Sequence, residues 1–260
     1  MSLRHIALGL TGLVALWQGA VWLLAPPRYI LPAPIEVAIA LARQPRFLLE
    51  NALVTLSEIL IGLVCGSILG FLVALAIAAL PRLGSLVWPM VLILQALPVF
   101  VLAPVLVLWF GFGMASKAVM ATIIIFFPVA SAFADGLRRT EPAILDAVAL
   151  TRANHWQTLR LIRVPLALPA LVTGLRVAAP LAPIGAVVGE WVGASAGLGF
   201  VMVQSNARMQ TDTVFAAMAL LAAMTLILRW AVDVLTARMT PWAPEVAPAR
   251  PDMFSRRTNP

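Results

Sequence analysis

Charge is scarce in this chain. Only 11% of its 260 residues are Asp, Glu, Lys or Arg, against roughly 25% in a soluble domain. So few polar groups cannot clothe a chain that is 62% hydrophobic, and a mean hydropathy of +0.99 makes lipid its natural solvent. Cysteine is scarcer still. Cys65 alone makes neither an intramolecular disulfide nor a thiolate metal cluster, and within an apolar run it reads as a small buried hydrophobe. The two histidines, His5 and His155, are far apart. No metal-ligand spacing and no nucleophile–base pair can be assembled, so neither a metal site nor a catalytic residue is expected. Acidic residues are outnumbered, giving a net charge of +7 and a pI of about 11.3. Such a balance in a soluble protein would suggest nucleic acid. Here the basic residues sit mainly at the ends of apolar segments, as membrane-orientation signals do, without aromatic interleaving, so no nucleic-acid partner is expected.

What the chain has in abundance is long apolar runs. Six stand out, at about Ile6–Ala25, Ala52–Leu80, Leu86–Phe110, Ala118–Ala134, Leu166–Gly189 and Val214–Leu235. Length rather than periodicity identifies them, since a span needs about 20 residues. The first follows a basic start, as a signal peptide would. It ends in Pro26-Pro27 without a clear small-x-small cleavage site and is expected to be a retained span. Six spans place both termini on one side. That side also holds Arg138, Arg139, Arg152, Arg160 and Arg163 of the central loop, with Arg4, Arg82 and the tail arginines. The other side holds Arg28, Arg43, Arg46, Lys117 and Arg208. The excess predicts a multi-pass bacterial inner-membrane protein with both termini cytoplasmic. Residues 1–240 form one membrane domain. Residues 241–260, rich in proline and charge, are expected to be a disordered cytoplasmic tail.

Between the spans, Pro26–Asn51 carries a short amphipathic piece, Ile35–Leu41, and Glu190–Thr213 reads as a loop rich in Gly, Ser and Asn. The central polar stretch, about residues 135–165, is more structured. Thr140 and Pro142 suit a helix start, and Asp146–Arg152 reads as a short helix. Asn154 with Gln157 three residues on forms a loose capping box for a second one, which Pro165 and Pro169 are expected to end. Ala147, Leu150, Leu159 and Ile162 would anchor this helix–turn–helix to the membrane surface while Arg152, Arg160 and Arg163 stay wet.

At these residues a resemblance becomes specific. The stretch is similar to the EAA loop of ABC importer permeases, with Asp146, Ala147 and Val148 at the E-A-A positions and Arg152 then Ala153 at the Gly-Ala positions. Asn154, Trp156, Arg160 and the run Val164–Pro169, including Pro165 and Pro169, match its closing part. Arg152 in place of glycine predicts a shifted or differently shaped turn, because a side chain at positive φ is costly. Ala96–Gly113 and Gly189–Met202 resemble the nitrate/sulfonate/taurine-type permeases, and Asn206–Met218 resembles the branch for hydroxymethylpyrimidine, a thiamine precursor.

The resemblance implies an all-α membrane protein of six transmembrane helices, with the type I ABC importer permease fold and a cytoplasmic coupling helix. It implies a second permease copy, an ABC ATPase subunit that holds the loop and a periplasmic substrate-binding protein. ATP and magnesium would belong to the ATPase, with no cofactor on this chain. The expected cargo is a thiamine-related pyrimidine, with sulfonate, taurine or nitrate as the alternative.

Polar residues within spans are costly and so are candidates for function. Glu58 stands near the outer start of the second span, where it would meet a substrate amine or amide, water, or an arginine. Glu190 and Trp191 are candidates for an outer gate, with an aromatic-belt anchor as the alternative for Trp191. Gln95, Pro98 and Asn206 are candidates for the pathway, Pro98 because it frees a backbone carbonyl. Arg176, in the fifth span, is expected to pair structurally or snorkel. Gly62, Gly66 and Gly70 form a small-residue stripe for close helix packing. Gly111–Lys117, GFGMASK, lacks the second glycine of a phosphate-binding loop, and Gly193–Gly199 lacks the strand–helix setting of a dinucleotide site. An ion-coupled secondary transporter would show paired interrupted repeats, which are not evident. A membrane enzyme would need clustered ionisable groups within the spans.

Overall fold

The structure, a computed structural model, describes residues 3–96 and 98–243. Twelve α-helices account for the described chain: α1 (Leu3–Leu24), α2 (Pro34–Arg43), α3 (Pro45–Ala79), α4 (Pro81–Ala96), α5 (Val99–Phe110), α6 (Met114–Arg138), α7 (Pro142–Leu150), α8 (His155–Thr158), α9 (Val164–Ala178), α10 (Ala182–Gly193), α11 (Leu198–Ala207) and α12 (Thr211–Ala237). Proline opens α2, α3, α4 and α7, where its missing N–H has no intrahelical acceptor to lose.

Among the described residues, four continuous helical runs are long and apolar enough to cross a membrane: α3, α6, α12 and the joined run His155–Gly193. The helices α4 and α5 make a fifth if a pair bent by 98° counts as one span. The third apolar segment is thus two helices, with Pro98 as the N-cap of α5, because proline cannot continue the preceding helix. The N-terminal segment forms α1, whose apolar stretch, Leu8–Leu24, is shorter.

The bundle is organised around α6. The glycine stripe on α3 faces it: a Cβ on Gly66 would lie 2.8 Å from Ile125 Cβ, and one on Gly70 would lie 2.9 Å from the Phe126 carbonyl. On the other flank, Gly174 of α9 and Gly185 of α10 bring their backbones against Pro128 and Ala121. Main chains can approach this closely only where side chains are absent, and dispersion between them replaces the hydrophobic drive that lipid does not supply. Ile125, Val129 and Phe133 are fully buried as a result, and Phe133 stacks on Phe71 of α3 at 4.9 Å. A second core joins α2, the start of α3, α11 and α12 around Leu48, Leu198, Val201 and Ala216. Trp17 ties α1 to it, donating to the Pro32 carbonyl at 3.1 Å and packing on Phe215. The rest of α1 presents Leu8, Leu13, Leu16 and Leu23 outward.

Two segments depart from the expected boundaries. Pro165 and Pro169 do not end the short helix; His155–Gly193 runs on through them. A π turn at Leu159–Arg163 precedes Pro165, and the Val164 N–H reaches back to the Leu159 carbonyl. This wider turn absorbs the hydrogen bond that proline cannot make. The stretch Glu190–Thr213 is not a plain loop, since it contains α11. Gly197, at φ 112°, turns the chain into α11 in a conformation that side-chain-bearing residues rarely adopt. Arg176 pairs as expected, with Asp233 of α12 at 3.1 Å; Arg229 joins the same carboxylate at 2.9 Å and donates to the Arg176 carbonyl. The tail beyond residue 243 lies outside the described residues.

Candidate functional site

Three places gather the polar and exposed groups. The first is the helical hairpin α7–α8 at one end of the bundle. Asp146, Ala147, Leu150, Arg152, Asn154 and Trp156 are exposed, while Val148 and Ala153 are half-buried. Neither Ala147 nor Leu150 packs into the bundle: α7 has no buried residue, and Leu150 is 87% exposed. The anchors lie further on. Leu159 is buried at 3% exposure, and His155 Nε2 lies 3.1 Å from the Ala79 carbonyl at the end of α3.

The turn also differs from expectation. Arg152 itself adopts φ 57°, so the turn stays at the glycine position and the side chain bears the strain, about 1–2 kcal/mol. Local bonds offset it. The Thr151 and Arg152 N–H groups close α7 on the Val148 and Ala149 carbonyls at 3.0 and 3.1 Å. Asn154 and Gln157 then form the expected capping box, each side chain bonded to the other's backbone N–H at 2.9 Å. Pro165 and Pro169, half-buried, sit beyond the hairpin within the continuing helix.

The second place is a buried polar cluster at the opposite ends of the spans. Asn51, Thr55 and Glu58 project from one face of α3, at i, i+4 and i+7, and all are buried. Glu190 of α10 meets them: Thr55 Oγ1 donates to Glu190 Oε1 at 2.6 Å, and Glu58 packs against the same carboxyl group. The entry to α11 is held by the same residues. The Gly197 N–H donates to Asn51 Oδ1 and the Leu198 N–H to Thr55 Oγ1, both at 2.8 Å, while the Gly199 N–H donates to Glu190 Oε2. A Cβ on Gly199 would lie 2.7 Å from Glu190 Oε2, so glycine lets backbone donors close around the carboxyl group.

Lys117 completes the cluster. It was counted with the loop charges on the outer side, yet it is 2% exposed. Its Nζ donates to the carbonyls of Phe112, Gly113 (2.9 Å) and Gly193 (3.1 Å). Those last two bonds join the GFGMASK turn to the end of α10. Glu58 and Glu190 are therefore brought together, whereas Trp191, 56% exposed, and Asn206, also exposed, are not part of the cluster.

The third place is a cavity of about 720 Å³ between α3, α4, α5, α6 and α9. Its wall is apolar, with Leu69, Phe126 and Phe127 among its residues, and Gln95, Ser131 and Thr173 are its uncharged polar groups; no charged side chain lines it. Pro98 is exposed nearby, at the start of α5, but is not part of the wall. Among the described residues no group of His, Cys, Asp and Glu could hold a metal ion.

Known proteins resemble this chain. A permease described as a probable ABC transporter permease protein, from Haemophilus influenzae, is 45% identical over 87% of this chain and 92% of its own length. The riboflavin transport system permease RibX of Chloroflexus aurantiacus is 34% identical over 88% of this chain and 87% of its own. The formylaminopyrimidine transport permease ThiX of Halalkalibacterium halodurans is 33% identical over 88% and 92%. In fold, 76% of this chain superposes on 99% of a chain from an inward-facing structure of the MetNI methionine ABC transporter, with a TM-score of 0.65 and 20% identity. The family model of binding-protein-dependent transport system inner membrane components matches residues 66–241, and the chain belongs to that family of ABC transporter permeases.

Proposed function

We propose that this chain is the permease subunit of an importer that carries a small heteroaromatic nutrient, a thiamine-related pyrimidine first. The cavity supports the substrate class. Its volume of about 720 Å³ falls within the usual range for small-molecule sites, roughly 300–1,000 Å³. A wall without a charged side chain favours a neutral ring over a sulfonate or nitrate, whose desolvated charge would go uncompensated. Gln95, Ser131 and Thr173 offer donors and acceptors to ring nitrogens and amino groups. The cargoes named for ThiX and RibX, a pyrimidine and a flavin, are both of this kind. Sulfonate, taurine or nitrate remains the alternative that the same assay tests.

The mechanism follows from the two ends of the molecule. We take α1, α3, α4–α5, α6, the run α8–α10 and α12 as six spans with cytoplasmic termini. The hairpin α7–α8 then faces the cytoplasm as the coupling element for an ABC ATPase, which binds ATP and magnesium. The observation that carries this assignment is the exposure of Leu150 and Trp156 on a hairpin whose base is fixed by Leu159 and His155. A rigid lever with an uncovered apolar tip transmits a partner's motion into α9 and α10. At the outer end, the cluster of Asn51, Thr55, Glu58, Lys117 and Glu190 locks α11 to α3, α6 and α10. There a periplasmic binding protein would deliver cargo to a pair of permeases. Glu58 and Glu190 hold this gate in shape, and Gln95 faces the cargo.

The test is ATP hydrolysis by the permease reconstituted in lipid with its ATPase and loaded binding protein. A pyrimidine-loaded binding protein should stimulate turnover, while sulfonate, taurine and nitrate should not. Stimulation by a sulfonate alone would reverse the substrate assignment. Failure to assemble with any ATPase would remove the coupling role.

A further inference from the structure

A smaller cavity, of about 370 Å³, opens at the hairpin end of the bundle, where the α3–α4 corner meets the end of α6 and the π turn. Its composition is unlike that of the central cavity. Ile77, Trp88 and Leu137 form an apolar floor, and Arg138 and Arg163 stand at its wall with Ser85. No acidic side chain lines it, and neither arginine makes an ion pair among the described residues. The Arg138 guanidinium rests 4.6 Å from the Trp88 ring centre. Arg163 Nε is buried and has no hydrogen-bond partner among the described residues. A buried guanidinium donor without an acceptor is costly, so the pocket is incomplete as it stands.

We propose that this pocket binds the phosphate of an anionic phospholipid, with the two arginines on the headgroup and the apolar floor against the start of an acyl chain. A phosphodiester accepts from two guanidinium groups at once. A free anion would satisfy the arginines but leave the floor wet. A lipid satisfies both, and the neighbouring face of α4 is already dressed for lipid, with Leu86, Met90 and Ile93 exposed. The orientation proposed above places the pocket in the inner leaflet, whose anionic surface attracts such clusters. The binding itself does not depend on that orientation or on the substrate. The bound lipid would brace the π turn between the hairpin and α9.

Native mass spectrometry of the purified permease, stripped of lipid and titrated with dioleoylphosphatidylglycerol or dioleoylphosphatidylcholine, tests this directly. Phosphatidylglycerol should be retained in preference to phosphatidylcholine. Arg138→Ala and Arg163→Ala should each weaken that retention about fivefold, the factor expected for one interfacial basic residue. Arg163→Lys, which keeps the charge, should retain more than Arg163→Ala, and Arg208→Ala, at the other end, should change nothing. Equal retention of the two lipids, or full retention by the double alanine variant, would overturn the proposal. Full competition by inorganic phosphate or glycerophosphate would make it a free-anion site instead. Loss of ATPase co-purification with unchanged lipid retention would assign the arginines to the protein partner.

Discussion

Replacing Leu150 by alanine separates the proposed coupling role of the hairpin from its folding. In the isolated chain this side chain is 87% exposed, so its loss removes almost no internal packing and should move stability by no more than about 0.5 kcal/mol. If an ATPase covers it, the lost burial is about 1.5–3 kcal/mol, which is roughly 10- to 100-fold in affinity. Trp156, 59% exposed on α8, should behave alike, and Leu150→Ala/Trp156→Ala together should nearly abolish association, without strict additivity. Leu159→Ala is the contrast. At 3% exposure it should cost the permease about 2–5 kcal/mol of its own stability. The assay is titration of the purified ATPase subunit onto permease in lipid nanodiscs, with thermal unfolding measured on the same samples. Unchanged affinity in Leu150→Ala would refute the docking assignment. So would an affinity loss that merely tracked the unfolding temperature.

Three further substitutions probe the rest of the molecule. Gly66→Val drives methyl groups into Ile125 and the Thr122 carbonyl, each 2.8 Å from the Cβ position, and should cost about 1–3 kcal/mol; Gly9→Val, with nothing within 4 Å, should be neutral in the same thermal assay. Thr55→Val removes the hydrogen bond to Glu190 Oε1 and leaves the Leu198 N–H without its acceptor, a loss of about 1–3 kcal/mol that should show as faster proteolysis near α11; wild-type resistance would deny the cluster its role in holding that helix. Arg152→Gly relieves the φ 57° strain and should stabilise the chain by about 1 kcal/mol, with slower hydrogen exchange at residues 150–158; destabilisation would show that the side chain does more than endure the turn.

How far the sequence reveals such a protein depends on which forces act locally. The stripe at Gly62, Gly66 and Gly70, the helix start at Pro142 and the Asn154–Gln157 capping box are local or periodic signals, and each has its structural counterpart; of the six runs picked by apolar length, four lie in continuous helices long enough to span among the described residues, and the bent pair makes a fifth. The failures occur where a local rule met a compensating bond. Pro165 should have ended a helix, and the π turn before it removed the need. Arg152 should have displaced a turn, and two caps held it in place. Pro98 marks the break between α4 and α5 but not the size of the bend.

The buried polar cluster shows the deeper limit. Glu58 and Glu190 could be singled out as isolated charges, but their meeting required residues 135 positions apart, as Thr55 and Glu190 are, to become neighbours. One signal was available: Asn51, Thr55 and Glu58 recur at i, i+4 and i+7 in an otherwise apolar helix, which is the pattern of a polar face that must find a partner. Lys117 gave no such sign. A lysine four residues beyond Gly113, at a span end, has the position of an orientation charge, and only the approach of the Gly193 carbonyl turns it into a buried clasp. The two kinds of charge differ in what they should do on substitution. An orientation charge acts through the sum of its side and tolerates loss singly. A clasp that joins α6 to the end of α10 donates to three carbonyls at once, and its loss takes the side-chain donor from all three, although Ser116 Oγ still donates to Gly113. The chemistry of this permease therefore lies less in its rare charges than in where helix packing around α6 brings their backbone partners.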